Sequence, residues 1–152
     1  MKITTWNVNS LGARLQHVLD WVAINPVDVL CLQELKLPDD KFPLDVLRGI
    51  GYEHCAVFGQ KTYNGVAIMS RTPVRDIAKN ISGYEDPNSR VIAATLDTRE
   101  GPLRLVNGYF VNGQSPGTEK FEYKMSWLRG LRDYLRNEIE QHPRLVVVGD
   151  FN

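Results

Sequence analysis

The sequence predicts a layered α/β fold, and three features point there. Short β-branched runs with strand character alternate with stretches of helical period along the whole length. Two passages read strand–helix–strand, an arrangement that usually makes its two strands parallel. The composition, 43% hydrophobic and 24% charged over 152 residues, is that of one globular domain able to bury a sizeable core.

The opening "KITTWNV" is β-branched and aromatic and reads as a strand. From Ser10 the period changes. Leu11, Leu15, Val18, Leu19 and Val22 share one helix face, Asn9 or Ser10 is suited to cap it, and Asn25–Pro26 ends it. "VDVLCLQ" is the next strand. A short helix fits between Asp39 and Gly49, with Phe42, Val46, Leu47 and Ile50 as its apolar side. "YEHCAVF", "NGVAIMS" and "VRDIAKN" read as short strands, and "GYEDPNS" as a loop. "RVIAATLD" and "PLRLVNGYF" form a hairpin through the turn "TREG". The polar loop "VNGQSPGTE" leads to the longest helix, Thr118 to about Gln141, with an apolar stripe of Phe121, Met125, Leu128, Leu131, Leu135 and Ile139. Pro143 marks its exit, and "LVVVG" is a last buried strand. Trp6, Trp21 and Trp127 are expected in the core.

Several function classes fall away. Lys plus Arg and Asp plus Glu number 18 each, so bulk charge favours neither nucleic acid nor an anionic membrane, and any polyanion site is local. No stretch approaches the roughly 18 apolar residues of a membrane span. The start "MKITTWNVNS" has no apolar signal region, and Cys31 and Cys55 form no disulfide framework. The expectation is a soluble, cytoplasmic protein with no membrane contact. His17, His54 and His142 lack metal-ligand spacing, which disfavours zinc. No GxSxG, P-loop or GxGxxG motif is present.

The polar residues collect at strand ends. If both crossovers give parallel pairs, Asn7 and Glu34 share one rim, as do Tyr109 and Asp150. Each alone is an ordinary structural residue: a turn asparagine, a solvated glutamate, a core tyrosine, an N-cap aspartate. Their joint placement beyond the carboxyl ends of strands is where open α/β sheets gather ligands. Carboxylate and carboxamide oxygens there suit Mg²⁺ or Mn²⁺, and a phenol beside them suits a phosphate.

The segments "TWNVNSL", "LCLQELK", "TYNGVAIMSR", "SRVIAA", "NGYFVNG", "EYKMSWL" and "VVVGDFN" occur in this order over essentially the whole chain. Together they resemble the exonuclease III type of apurinic/apyrimidinic endonuclease, within the endonuclease/exonuclease/phosphatase superfamily. "LQE" and "GDFN" alone fit the wider superfamily of phosphoinositide phosphatases, sphingomyelinases and DNase I-like enzymes. "WNVNSL", "LQELK" and "NGVAI" narrow it to the DNA-repair branch. The resemblance implies a four-layer α/β sandwich with two sheets packed face to face, and one or two divalent ions, normally Mg²⁺. It implies a metal and phosphate site of Asn7, Glu34, Asp150 and Asn152. Tyr109 would sit near the scissile phosphate, Asp150 would position or deprotonate the attacking water, and Asn152 would orient the phosphate. Arg90 and the loop residues Asn112 and Gln114 stand where family members touch the duplex.

The implied reaction is cleavage 5′ to abasic sites in double-stranded DNA, with trimming of 3′ ends as a companion activity. RNA or a phospholipid headgroup is the alternative substrate, and a non-catalytic binding module the alternative role. Val111 replaces the usual proline after the tyrosine–aromatic pair. Family chains continue well beyond "GDFN". The resemblance therefore implies that residues 1–152 are the N-terminal portion of one domain. A further aspartate, a catalytic histidine and most strands of the second sheet would lie elsewhere. The expected partners are DNA and a complementary C-terminal fragment or a second copy.

Overall fold

The computed structural model describes residues 1–152. In chain order the elements are β1 (Ile3–Asn7), α1 (Leu11–Ile24), β2 (Val29–Gln33), a 3-10 turn (Asp39–Lys41), α2 (Leu44–Gly49), β3 (His54–Phe58), β4 (Val66–Ser70), β5 (Val74–Lys79), β6 (Val91–Thr98), β7 (Gly101–Tyr109), α3 (Glu119–Gln141) and β8 (Leu145–Asp150). Ser10 caps α1 by accepting from the Ala13 amide, and Thr118 caps α3 by accepting from Phe121. No helix is long and apolar enough to cross a membrane.

The strands form two four-stranded sheets, ordered β1-β2-β4-β3 and β5-β6-β7-β8. Both helical crossovers give parallel pairs: β1 with β2, which sets Asn7 opposite Gln33, and β7 with β8, which sets Tyr109 opposite Asp150. The hairpin closes over Arg99 and Glu100, with Thr98 paired to Gly101. Three apolar clusters define four layers. Val18, Val22 and Leu47 of α1 and α2 cover the outer face of the first sheet against Leu30, Leu32 and Met69. The inner faces meet around Cys31, Ile68, Ile92 and Leu105. Trp127, Leu131 and Tyr134 of α3 cover the outer face of the second sheet against Val91, Ala93 and Val106.

The second sheet has four strands within these residues, because two successive hairpins build β5-β6-β7 and α3 returns β8 beside them. Two expectations are corrected. The helix expected over Asp39 to Gly49 is broken at Phe42, whose extended backbone (φ −64, ψ 130) is what a following proline imposes. Phe42 is buried all the same, and Val46 is left exposed. On α3 the buried face is Trp127, Leu131 and Tyr134, at i, i+4 and i+7. Large aromatics fill the sheet surface better than the aliphatic stripe, so Leu128 and Leu135 are only half-buried and Ile139 is exposed. These three line an open apolar groove with Leu145. Arg104 and Glu138, an ion pair at 2.6 Å with the arginine side chain 4% exposed, pins α3 to β7. Trp127 is fully buried, while Trp6 and Trp21 pair edge to face at 5.8 Å on the first sheet's outer cluster.

Inside the sandwich the inward-facing positions change character together. Ile3 on β1 leads to Thr5 and Asn7, and Val29 and Cys31 on β2 lead to Gln33. Leu103 and Leu105 on β7 lead to Asn107 and Tyr109, and Val146 and Val148 on β8 lead to Asp150. One apolar interior thus turns polar at the carboxyl ends of four strands.

Candidate active site

Asn7 is the centre of the rim. Its Nδ2 donates to Glu34 Oε1 at 2.8 Å and to Asp150 Oδ2 at 2.7 Å, joining carboxylates from opposite sheets and 116 residues apart in sequence. Its Oδ1 accepts from the Asn9 amide at 2.9 Å. The Glu34 loop is stitched in place on both sides. The amides of Ser10 and Leu11 donate to the carbonyls of Glu34 and Leu35, and those of Leu35 and Lys36 donate to Gly65 and Asn64. Leu35 is fully buried, which forces Glu34 and Lys36 into left-handed backbone (φ 55 and 54) and turns both toward the rim.

Partial burial works against ionisation of Glu34. Hydrogen bonds from Asn7, Tyr109 and Lys36 outweigh it and hold the carboxyl below its usual range. Lys36 Nζ lies 3.3 Å from Glu34 Oε2 and donates to Asn9 Oδ1 at 2.6 Å. The support this gives the fold is present above pH 4.5, the ordinary value, and is lost as pH falls through the lowered one. Tyr109 shifts the other way. Burial, then its hydrogen bond to the Glu34 carboxylate and that charge, push the phenol up to about 12. Tyr109 therefore keeps its proton at neutral pH and acts as a donor. Its contribution to stability is intact below 10, the ordinary value, and lost as pH rises through about 12. Phenolate absorbance of the wild-type chain minus that of Tyr109→Phe is expected to show one step near pH 12; a step near 10 contradicts the assignment.

Arg90 supports Tyr109. Its guanidinium carbon lies 5.1 Å from the Tyr109 ring and 5.9 Å from that of Tyr123, and Nη1 donates to the Tyr109 carbonyl at 3.2 Å. Asp150 Oδ1 accepts from the Asn152 amide at 3.0 Å. The Asn152 carboxamide turns away from the carboxylates and donates to the Phe110 carbonyl at 2.9 Å. Asn112 and Gln114 are exposed in the loop before α3, where Asn112 Oδ1 accepts from the Gln114 amide. The fold thus brings together Asn7, Glu34, Tyr109 and Asp150, with Arg90 and Asn152 beside them and Asn112 and Gln114 on an outer loop. No three or more His, Cys, Asp or Glu residues gather into one group.

Three side chains of the site were not anticipated from sequence. Lys36 lies within "LQELK", but its facing Glu34 depends on left-handed turns that no local pattern announces. Gln33 and Asn107 carried a readable signal: each is polar at an inward position of an otherwise apolar strand.

The chain belongs to the endonuclease/exonuclease/phosphatase family, whose model matches residues 4–152. It is similar to exodeoxyribonuclease III of Haemophilus influenzae, 34% identical over all of this chain and 57% of that protein. It is also similar to the 3′ phosphatase NExo of Neisseria, solved bound to a product DNA hairpin, at 48% identity and TM-score 0.93, covering all of this chain and 58% of that one. An AP endonuclease of Archaeoglobus fulgidus superposes with TM-score 0.90 at 35% identity, over 99% of this chain and 57% of its own. The chain therefore spans somewhat more than half the length of these relatives.

Proposed function

We propose that these residues carry the phosphodiester-cleaving site of a cytoplasmic, Mg²⁺-dependent DNA-repair enzyme acting 5′ to abasic sites and at DNA 3′ ends. One observation carries the reading: a single carboxamide nitrogen holds Glu34 and Asp150 within 2.8 Å of itself at the polar end of a sandwich. Apposed carboxylates repel unless a cation or a donor sits between them. The donors fit Mg²⁺, a hard ion commonly held by one or two carboxylates with water completing its shell. Glu34 and Asp150 would hold it, with Asn7 and Asn152 beside them on the same rim. When bound, the ion would neutralise phosphate charge and the charge developing on the leaving 3′ oxygen.

In this reading the groups of residues 1–152 have the following roles. Asp150 takes the proton of a water whose oxygen attacks phosphorus, as the bond from phosphorus to the 3′ oxygen breaks and that oxygen picks up a proton from solvent. Tyr109, kept protonated, would turn its one O–H from Glu34 to a non-bridging phosphate oxygen. Asn7 keeps Glu34 and Asp150 at a fixed separation. Arg90 braces Tyr109 and offers positive charge to the DNA backbone, while Asn112 and Gln114 reach the duplex from their loop. β1 and β8 are edge strands that face each other across the sandwich. Their free edges are where a complementary segment, corresponding to the remaining length of the relatives, or a second copy would pair.

The test combines Mn²⁺ titration of the chain with incubation in Mg²⁺ with a duplex bearing one abasic site. The expected result is one bound ion, lost in Glu34→Ala, and at best slow nicking 5′ to the lesion leaving a 3′ hydroxyl, because the chain spans somewhat more than half the length of its relatives. No ion binding, or cleavage of RNA or a phosphoinositide in preference to the abasic duplex, overturns the reading.

A further inference from the structure

Two buried carboxamides tie the sheets together directly beneath the carboxylates. Asn107 on β7 is fully buried. Its Nδ2 donates to the backbone carbonyls of Leu32 and Ala67, both at 2.9 Å, on β2 and β4 of the opposite sheet. Its Oδ1 accepts from Gln33 Nε2 at 2.7 Å, and that nitrogen also reaches Thr5 Oγ1 on β1 at 2.9 Å. One side chain of the second sheet is thereby connected to three strands of the first.

Apolar packing alone does not supply this constraint. Hydrophobic contact is non-directional, and the fully buried part of the inner layer is Val, Ile, Leu, Ala and Cys. Two such faces are free to shift by a fraction of an ångström at little cost. Hydrogen bonds between buried groups are directional and expensive to leave unmade, so they fix the offset. The site is wired to this clamp at every corner. Glu34 follows Gln33 by one residue, Tyr109 follows Asn107 by two, and Asp150 is in register with Tyr109.

We infer that Gln33 and Asn107 are positioning residues, a buried amide clamp that sets the offset between the sheets and so the separation of Glu34 from Asp150 that Asn7 bridges. Its consequence for ion binding rests on the function proposed above; its consequence for the Asn7 bridge does not.

The experiment compares the wild-type chain with Asn107→Leu, with the pair Gln33→Leu/Asn107→Leu, and with Leu131→Ala, a buried α3 residue that packs on the opposite face of the second sheet from the clamp. Asn107→Leu strands the Gln33 amide and lowers the melting temperature. The double variant also removes the Gln33 amide and recovers part of that loss, with the Leu32 and Ala67 carbonyls still lacking the Asn107 donor. In both, the Asn7 side-chain amide protons are expected to exchange at least about ten-fold faster, with shifted resonances, and Mn²⁺ affinity to fall about ten-fold. Leu131→Ala is expected to melt earlier with neither change. If the double variant folds with the Asn7 resonances and Mn²⁺ affinity of the wild type, the clamp is merely packing and the inference is overturned. If the wild type binds no Mn²⁺, the proposed function fails and the Asn7 resonances alone decide: moved, they support the clamp; unmoved, they overturn it. Gln33→Met, which keeps the side-chain length, is read in the same way should the leucine pair not fold.

Discussion

On the function proposed above, replacing Asp150 with asparagine is expected to slow whatever single-turnover cleavage of an abasic duplex the chain supports by about 10³-fold at saturating Mg²⁺, because the variant keeps the shape of the site and loses the proposed proton acceptor. The asparagine oxygen still accepts from Asn7 Nδ2, where Asp150 Oδ2 now does at 2.7 Å, so the link between the sheets survives. The melting temperature should move by no more than about 1 kcal/mol implies. Glu34→Gln has a different signature. Its loss is of ion affinity, since one of two carboxylates is gone while Asp150 stays in place to take the proton. Raising Mg²⁺ is therefore expected to recover much of the Glu34→Gln rate and none of the Asp150→Asn rate. A rate for Asp150→Asn within ten-fold of wild type would show that the water gives its proton elsewhere.

The parts of this site that are legible in sequence are those that follow from chain connectivity. A crossover helix after "KITTWNV" and another after "LRLVNGY" make parallel pairs, and parallel pairs put Asn7 near Glu34 and Tyr109 near Asp150. Connectivity does not say how one sheet sits over the other. Period-two alternation assigns each side chain to a face, but the offset between facing sheets depends on contacts such as Asn107 with the Leu32 and Ala67 carbonyls, which no local window contains. The same holds for the Glu34 loop. Its left-handed turns arise because Leu35 is drawn into the core, a tertiary demand on a stretch whose own residues do not favour that backbone. On α3, both the aliphatic stripe and the Trp127–Leu131–Tyr134 face are helical in period. The flat surface of Ala93 and Val106 selects the aromatic one.

Gly149→Ala is expected to destabilise the fold by about 3 kcal/mol, more than any other single methyl addition near the site. Gly149 has φ +144, a conformation that costs an alanine about 1–2 kcal/mol. A Cβ there would also overlap the Gly108 carbonyl, its partner in the β7–β8 register, adding an overpacking cost of about 1–3 kcal/mol. Neither neighbour yields easily. Gly108 is backbone, and a Cβ on Gly108 itself would press the Phe110 ring at 3.1 Å. For a domain of this size the melting temperature falls by roughly 6–12 °C. The lesion also reaches the chemistry, because Asp150 is the next residue. If β8 moves aside to make room, Oδ2 leaves Asn7, and Mn²⁺ affinity drops along with stability. Gly12→Ala is the control: it lies in α1 with nothing within 4 Å of the added methyl, so it is expected to be neutral or to stabilise by up to about 1 kcal/mol. Were Gly149→Ala to melt with the wild type and bind Mn²⁺ as tightly, β7 and β8 could not be in the close register that carries Asp150 to the rim. The meeting of the two carboxylates on Asn7 would then lose its structural basis.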